Sequence, residues 1–228
     1  MIESIVPLLS LIALEVILGI DNIIFISILA DKLPEDQRNT LRFWGIGLAM
    51  IMRLILLAFI AWILKLDQTL FTFLGIDFSG KDLILIFGGL FLVYKSTKEI
   101  YYKTEIANDD TPHIPQNSSF RKLLSEVILL DLVFSIDSII TAVGMVQELW
   151  VMYAAVIVAV FIMFFASKPI SKFISKHPSF KVLALCFLMM IGVSLLGEGF
   201  NFEIPKGYIY FSMSFAFLVN VIQMKTIK

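Results

Sequence analysis

Leu14-Glu15-Val16-Ile17-Leu18-Gly19-Ile20-Asp21-Asn22-Ile23-Ile24 is echoed by Leu130-Asp131-Leu132-Val133-Phe134-Ser135-Ile136-Asp137-Ser138-Ile139-Ile140. Each stretch sets an acid, five residues, a second acid and a small polar residue into apolar sequence. The differences 131 minus 15, 137 minus 21 and 138 minus 22 are all 116. Carboxylates inside hydrocarbon are expensive and usually functional. Two copies at a constant offset read as two halves of one site.

The surrounding chain supplies the hydrocarbon context. Of 228 residues, 59% are hydrophobic and 16% charged, with a mean hydropathy of +0.91. Soluble domains hold about 45–50% apolar and about 25% charged residues, so the class is a polytopic helical membrane protein. No basic stripe points to nucleic acid, and Cys186 alone excludes an internal disulfide or a CxxC motif. Cys186 is expected to be a small buried hydrophobe. Glu3, the absence of Lys or Arg before the first apolar run, and Glu15 within it argue for a retained first span rather than a cleaved leader.

A membrane-crossing helix needs about 20 largely apolar residues. Seven stretches qualify: 5–30, 41–64, 83–101, 123–147, 150–167, 180–198 and 207–224. The pieces between them are polar and turn-rich. Asp31 to Asp36 closes the first span, 65–81 contains Gly75 and Gly80, and the linker 103–122 carries Asn108-Asp109-Asp110-Thr111-Pro112. The expectation is one transmembrane domain over 1–228: repeat one at about 5–101, a cytoplasmic linker at 103–122, repeat two at 123–198, and an extra helix at 207–224.

Lys and Arg counts orient the spans. Lys32, Arg38, Arg42, Lys95, Lys98, Lys103, Arg121, Lys122, Lys168, Lys172, Lys176, Lys181, Lys225 and Lys228 fall on one side; Lys65, Lys81 and Lys206 fall on the other. The bias predicts an N-outside, C-inside protein with seven transmembrane helices. The first and fourth spans then run antiparallel, so the chain reads as an all-α inverted 3+3 repeat plus a seventh helix. Inverted-repeat transporters bind their cargo near the midplane, between the repeats. Outside the motif the repeat is weak.

The motif acids lie within roughly 6 Å of the span centres at 1.5 Å per residue. Such short side chains cannot snorkel. They must face a cavity, take up protons or hold a cation. Six residues turn a helix by about 600°, leaving the two acids of a motif about 120° apart, so an unbroken helix presents them poorly to one ion. Either Gly19 and Ser135 mark local unwinding, or the pseudo-twofold sets Asp21 against Asp137 with Glu15 and Asp131 flanking. The second arrangement is favoured. Asn22 and Ser138 add neutral oxygens. His113 and His177 fall in polar loops, so the donors are all oxygen and suit Mg²⁺, Ca²⁺ or Mn²⁺. Like charges held together favour proton uptake, a basis for exchange with protons.

Other polar residues are accessory candidates. Glu126 lies one turn before Asp131 and is placed at an entrance or at the interface. Arg53, in Met50-Ile51-Met52-Arg53-Leu54-Ile55, reads as a buried counter-ion to the acids. Lys95 with Glu99, and Glu198 with Asn201, end the third and sixth spans as interfacial anchors. No His-Glu-x-x-His, no nucleophile beside a base and no cofactor loop suggests an enzyme.

Leu18-Gly19-Ile20-Asp21-Asn22 and Phe134-Ser135-Ile136-Asp137-Ser138 resemble the signature of the TerC family, related to the wider LysE transporter superfamily. Gly88-Gly89-Leu90-Phe91-Leu92-Val93-Tyr94-Lys95 and Gly197-Glu198-Gly199-Phe200 extend the resemblance over nearly the whole chain. It implies a multi-pass protein of the bacterial cytoplasmic membrane, embedded in lipid. Family members act in manganese export and resistance, and some supply metal to secreted proteins. Glu15, Asp21, Asn22, Asp131, Asp137 and Ser138 would then form a Mn²⁺ site, with no organic cofactor. The expected function is Mn²⁺ efflux by alternating access; the competing expectation is a membrane scaffold that delivers the metal. The chain is also expected to be without the cytoplasmic regulatory extension of larger relatives.

Overall fold

A computed structural model of the chain describes residues 2–73, 75–105, 119–146, 148–202 and 204–226. Its order is α1 (Ile2–Ala30), α2 (Glu35–Ala58), α3 (Ile60–Ile63), a 3₁₀ turn (Leu64–Asp67), β1 (Thr69–Phe73), β2 (Ile76–Ser79), α4 (Gly80–Thr104), α5 (Phe120–Met145), α6 (Leu149–Lys176), α7 (Pro178–Gly199) and α8 (Lys206–Thr226). The fold is an all-α membrane protein. Six of its helices, α1, α2, α5, α6, α7 and α8, are long and apolar enough to cross a bilayer. The third expected span, 83–101, is helical as α4 but is not among those six: Lys81, Asp82, Lys95, Lys98, Glu99 and Lys103 put more than two charges into every 18-residue stretch of it. Most of the linker, including His113, lies outside the described residues.

The helix boundaries follow local chemistry. Asp31-Lys32-Leu33-Pro34 stops α1, and Glu35 and Asp36 then place negative charge on the first turn of α2, where the helix dipole favours it. Pro178 opens α7 at a position whose N–H has no helical acceptor. At the other end of α7, Asn201 takes φ 59°. The Phe202 N–H reaches the Gly197 carbonyl at 2.8 Å, and the Asn201 N–H reaches Glu198 at 2.9 Å. These two bonds are the Schellman arrangement, with Asn in the left-handed position.

Two expectations are corrected. Residues 65–81 form a 3₁₀ turn and an antiparallel hairpin, with Thr72 opposite Asp77 and Phe73 opposite Ile76; Phe71, Phe73 and Phe78 supply the aromatic content that suits strands. Cys186 is exposed, because it lies on an outer face of α7.

The chain folds as two compact units, each drawing segments from both halves of the sequence: 1–68 with 113–175, and 69–112 with 176–228. In the first unit, α1, α2 and α5 pack together. A Cβ built on Gly45 of α2 would meet Val127 of α5 at 3.3 Å and Ile26 of α1 at 3.5 Å, so this glycine lets three helices close on one point. In the second unit, α4 and α7 run antiparallel. Gly89 faces the Gly192 carbonyl, where a Cβ would lie 2.7 Å from the oxygen, and Gly199 faces the Asp82 carbonyl at 2.9 Å. Small residues at the crossing let backbones approach without hydrocarbon between them. Ser79 and Asp82 form a reciprocal capping box at the start of α4. Asn201 donates to the Asp77 carbonyl at 2.6 Å, tying the hairpin to the end of α7.

Candidate cation site in the first unit

The two acidic motifs lie on α1 and α5, and both helices are continuous through them. Gly19 and Ser135 therefore do not mark unwinding. Gly19 is instead a packing niche: a Cβ there would fall 2.0 Å from the Met163 sulfur of α6. Ser135 turns its hydroxyl to Asp131 Oδ2 at 3.2 Å.

α1 and α5 run antiparallel. Asn22 Nδ2 donates to Asp131 Oδ1 at 2.9 Å, the Ser138 side chain, whose hydroxyl donates to the Ser135 carbonyl at 3.2 Å, lies beside the Glu15 carboxylate, and Ile26 and Val127 converge on Gly45. Adding 116 to 22 gives 138, and adding it to 15 gives 131. One cross-helix contact thus becomes the other with roles exchanged. The acid that opens each motif meets the small polar residue that closes the opposite one.

Arg53 of α2 sits between the two opening acids. It is 2% exposed, donates to Glu15 Oε2 through Nη1, and donates to Asp131 Oδ1 through Nη2 at 3.2 Å. An Arg buried this deeply is stable only when carboxylates or carbonyls take its charge, and two carboxylates do so here. Among the described residues the Arg53 Nε–H has no hydrogen-bond partner.

Asp21 and Asp137 are buried, at 6% and 5% exposure, each one residue before the polar residue that faces across. The acids joined through a common partner are Glu15 and Asp131. Among the described residues no three His, Cys, Asp or Glu side chains cluster closely enough to hold a metal. Glu126 is buried on α5. Lys95 and Glu198 belong to the second unit: Glu198 pairs with Lys81 at 2.9 Å, and Lys95 lies over the Phe91 ring at 5.7 Å. His177 precedes α7.

A cavity of about 20 Å³ adjoins the network, lined by Asn22, Arg53, Asp131, Ala49, Met50 and Met163 among others. That is room for roughly one water-sized species. Ser135 is a participant that the motif reading did not assign; its position four residues after Asp131 puts both on one helix face.

The sequence profile described as the Integral membrane protein TerC family matches residues 1–228. The chain is 50% identical over 214 residues to UPF0053 inner membrane protein YoaE of Escherichia coli K12, covering 94% of this chain and 41% of that relative. It therefore spans about two fifths of the length of YoaE. It is 48% identical over 226 residues to a UPF0053 protein of Haemophilus influenzae, covering 98% and 94%. It is 46% identical over 211 residues to UPF0053 inner membrane protein YgdQ of Escherichia coli K12, covering 92% and 88%. No solved structure matches it significantly.

Proposed function

We propose that this chain, which belongs to the TerC family of integral membrane proteins, carries a divalent cation, Mn²⁺, out of the cell by alternating access. It is a multi-pass protein of the cytoplasmic membrane, as its relatives' inner-membrane descriptions and its own apolar helices agree. The observation that carries the proposal is the cross-helix pairing of the two motifs around Arg53. Glu15, Asn22, Asp131 and Ser138 meet in a buried polar cluster among apolar helices, with Asp21 and Asp137 adjacent in sequence. Their donors are oxygens, the chemistry that hard divalent ions accept. Manganese and the outward direction come from the family resemblance.

The same pairing supports seven spans. If α4 did not cross, α5 would be the third crossing segment and would run parallel to α1. The antiparallel contacts of α1 and α5 are met when α4 crosses as well. α4 is 25 residues long, about 37 Å at 1.5 Å per residue, against a hydrocarbon core of about 30 Å. It also lies antiparallel along α7, itself an apolar span. Lys95 and Lys98 rest on aromatic rings of their own helix, which eases the placement of their stems near the interface. With seven spans the orientation is N-outside and C-inside, an inverted 3+3 repeat plus α8.

The test is Mn²⁺ flux in liposomes holding only the purified chain, with Ca²⁺, Mg²⁺ and a pH gradient as competitors or drivers. Wild-type vesicles move Mn²⁺. Asp21→Asn and Asp137→Asn vesicles, with equal insertion, do not. Wild-type vesicles that bind Mn²⁺ without moving it would identify a metal-delivering scaffold instead. Flux indifferent to the pH gradient would remove proton exchange.

A further inference from the structure

We propose that Arg53 is a tethered stand-in for the cargo: it holds Asp131 when the site is empty and releases it when the metal ion arrives. The proposal rests on the transport reading above and names what the empty carrier does with its charge.

Asp131 has little capacity left for a metal in this arrangement. Oδ1 accepts from Arg53 Nη2 at 3.2 Å and from Asn22 Nδ2 at 2.9 Å, and Oδ2 accepts from Ser135 at 3.2 Å. A divalent cation needs those lone pairs. It can take them only if a guanidinium arm leaves and the Asn22 amide turns its oxygen inward. A cavity lined by Asn22, Arg53 and Asp131 adjoins this carboxylate, and its volume suits one small ion or water.

Arg53 is suited to yield on one side only. The adjoining cavity is lined by Asp131 and not by Glu15, so the Glu15 arm anchors the guanidinium while the Asp131 arm exchanges. Among the described residues the buried Nε–H has no hydrogen-bond partner. Buried donors in settled structural networks are nearly always satisfied; an unsatisfied one fits a group with more than one resting position. Arg keeps its charge at any physiological pH, so this countercharge cannot be lost as a proton.

The consequence concerns the return step. A carrier that has released its cargo must reorient with Glu15 and Asp131 still in hydrocarbon. Unpaired buried carboxylates oppose that movement, whereas Arg53 closing on Asp131 restores the pairing. The loaded carrier does not need it. Arg53 should therefore weaken equilibrium binding of the metal, through competition, while enabling net flux.

The experiment compares net Mn²⁺ flux into Mn²⁺-free vesicles with Mn²⁺-for-Mn²⁺ exchange, and adds equilibrium Mn²⁺ binding to the purified full chain. Arg53→Gln is expected to bind Mn²⁺ about tenfold more tightly, the change expected if Arg53 holds Asp131 in about nine molecules of ten. Its ratio of exchange to net flux is expected to rise by at least about tenfold. Exchange and net flux falling by the same factor would overturn the proposal and leave the transport reading standing. Wild-type vesicles with neither flux nor exchange would overturn both. If Arg53→Gln does not fold, Arg53→Lys decides. Its single ammonium bridges two carboxylates less well, so tighter Mn²⁺ binding than wild type supports competition, and equal or weaker binding overturns it.

Discussion

Asn22 of α1 donates to Asp131 of α5 at 2.9 Å, and the repeat offset converts this pair into Ser138 and Glu15, which also meet. Each motif is completed by the other. A double-mutant cycle of Asn22→Ala with Asp131→Asn should show coupling of about 0.6 kcal/mol, and less than about 2 kcal/mol, the range for hydrogen bonds between membrane helices. Unfolding in mixed micelles supplies the energies. Strict additivity would mean the bond contributes nothing to holding α1 on α5.

Glu15→Gln leaves Arg53 facing one carboxylate instead of two. That remaining pairing is one charge to one, so Glu15→Gln should cost less than Arg53→Met, which takes the countercharge from both Glu15 and Asp131 and should lower stability by about 3 kcal/mol or more. Thermal unfolding in detergent should therefore rank Glu15→Gln above Arg53→Met. Arg53→Met as stable as Glu15→Gln would argue against charge pairing at this point.

Gly19→Ala brings a methyl into the Met163 sulfur. The expected loss is about 1–3 kcal/mol, the range for overpacking. Because the obstruction is a side chain, Gly19→Ala/Met163→Ala should restore the seating of α6 on α1, read as recovered melting temperature. Helix unwinding at residue 19, had it been the role of this glycine, would not respond to Met163.

Gly89→Ala meets the Gly192 carbonyl rather than a side chain. No single rotamer change relieves it, so α4 and α7 must separate, and proteolysis of the second unit should accelerate. Gly47→Ala is the internal control: nothing lies within 4 Å of its Cβ position, and helix propensity alone should raise stability by up to about 1 kcal/mol. Equal effects at the two positions would contradict a backbone contact at Gly89.

Asn201 combines a left-handed backbone with a bond to Asp77. Asn201→Gly keeps the backbone and loses the bond; Asn201→Ala loses both. The Ala variant should be the less stable by about 1 kcal/mol, the cost of the left-handed conformation for a residue with a Cβ. Denaturation of the two purified variants would measure the gap, and no gap would place the role of Asn201 wholly in its side chain.

Much of this molecule was legible along the chain. Hydropathy summed over a window does not depend on what a helix touches, so six spans and the helical character of 83–101 could be read before any packing was known. The constant offset between motifs, the burial of all four motif acids and the Lys and Arg bias are likewise properties of residue order. The hairpin at 69–79 escaped because its strands are short and bounded by polar turns. Which acids meet was beyond the sequence, since that depends on the rotation and crossing of α1 against α5. The helical phase places Glu15 and Asp21 on different faces, but only the packed helices determine that Glu15 and Asp131 converge on Arg53. The sequence by itself thus determined that carboxylates are buried in the membrane, because hydrophobic flanks leave them nowhere else to go. The tertiary structure decided that they are neutralised from a third helix, because a buried charge takes its partner from whatever lies within a few ångströms, however distant along the chain.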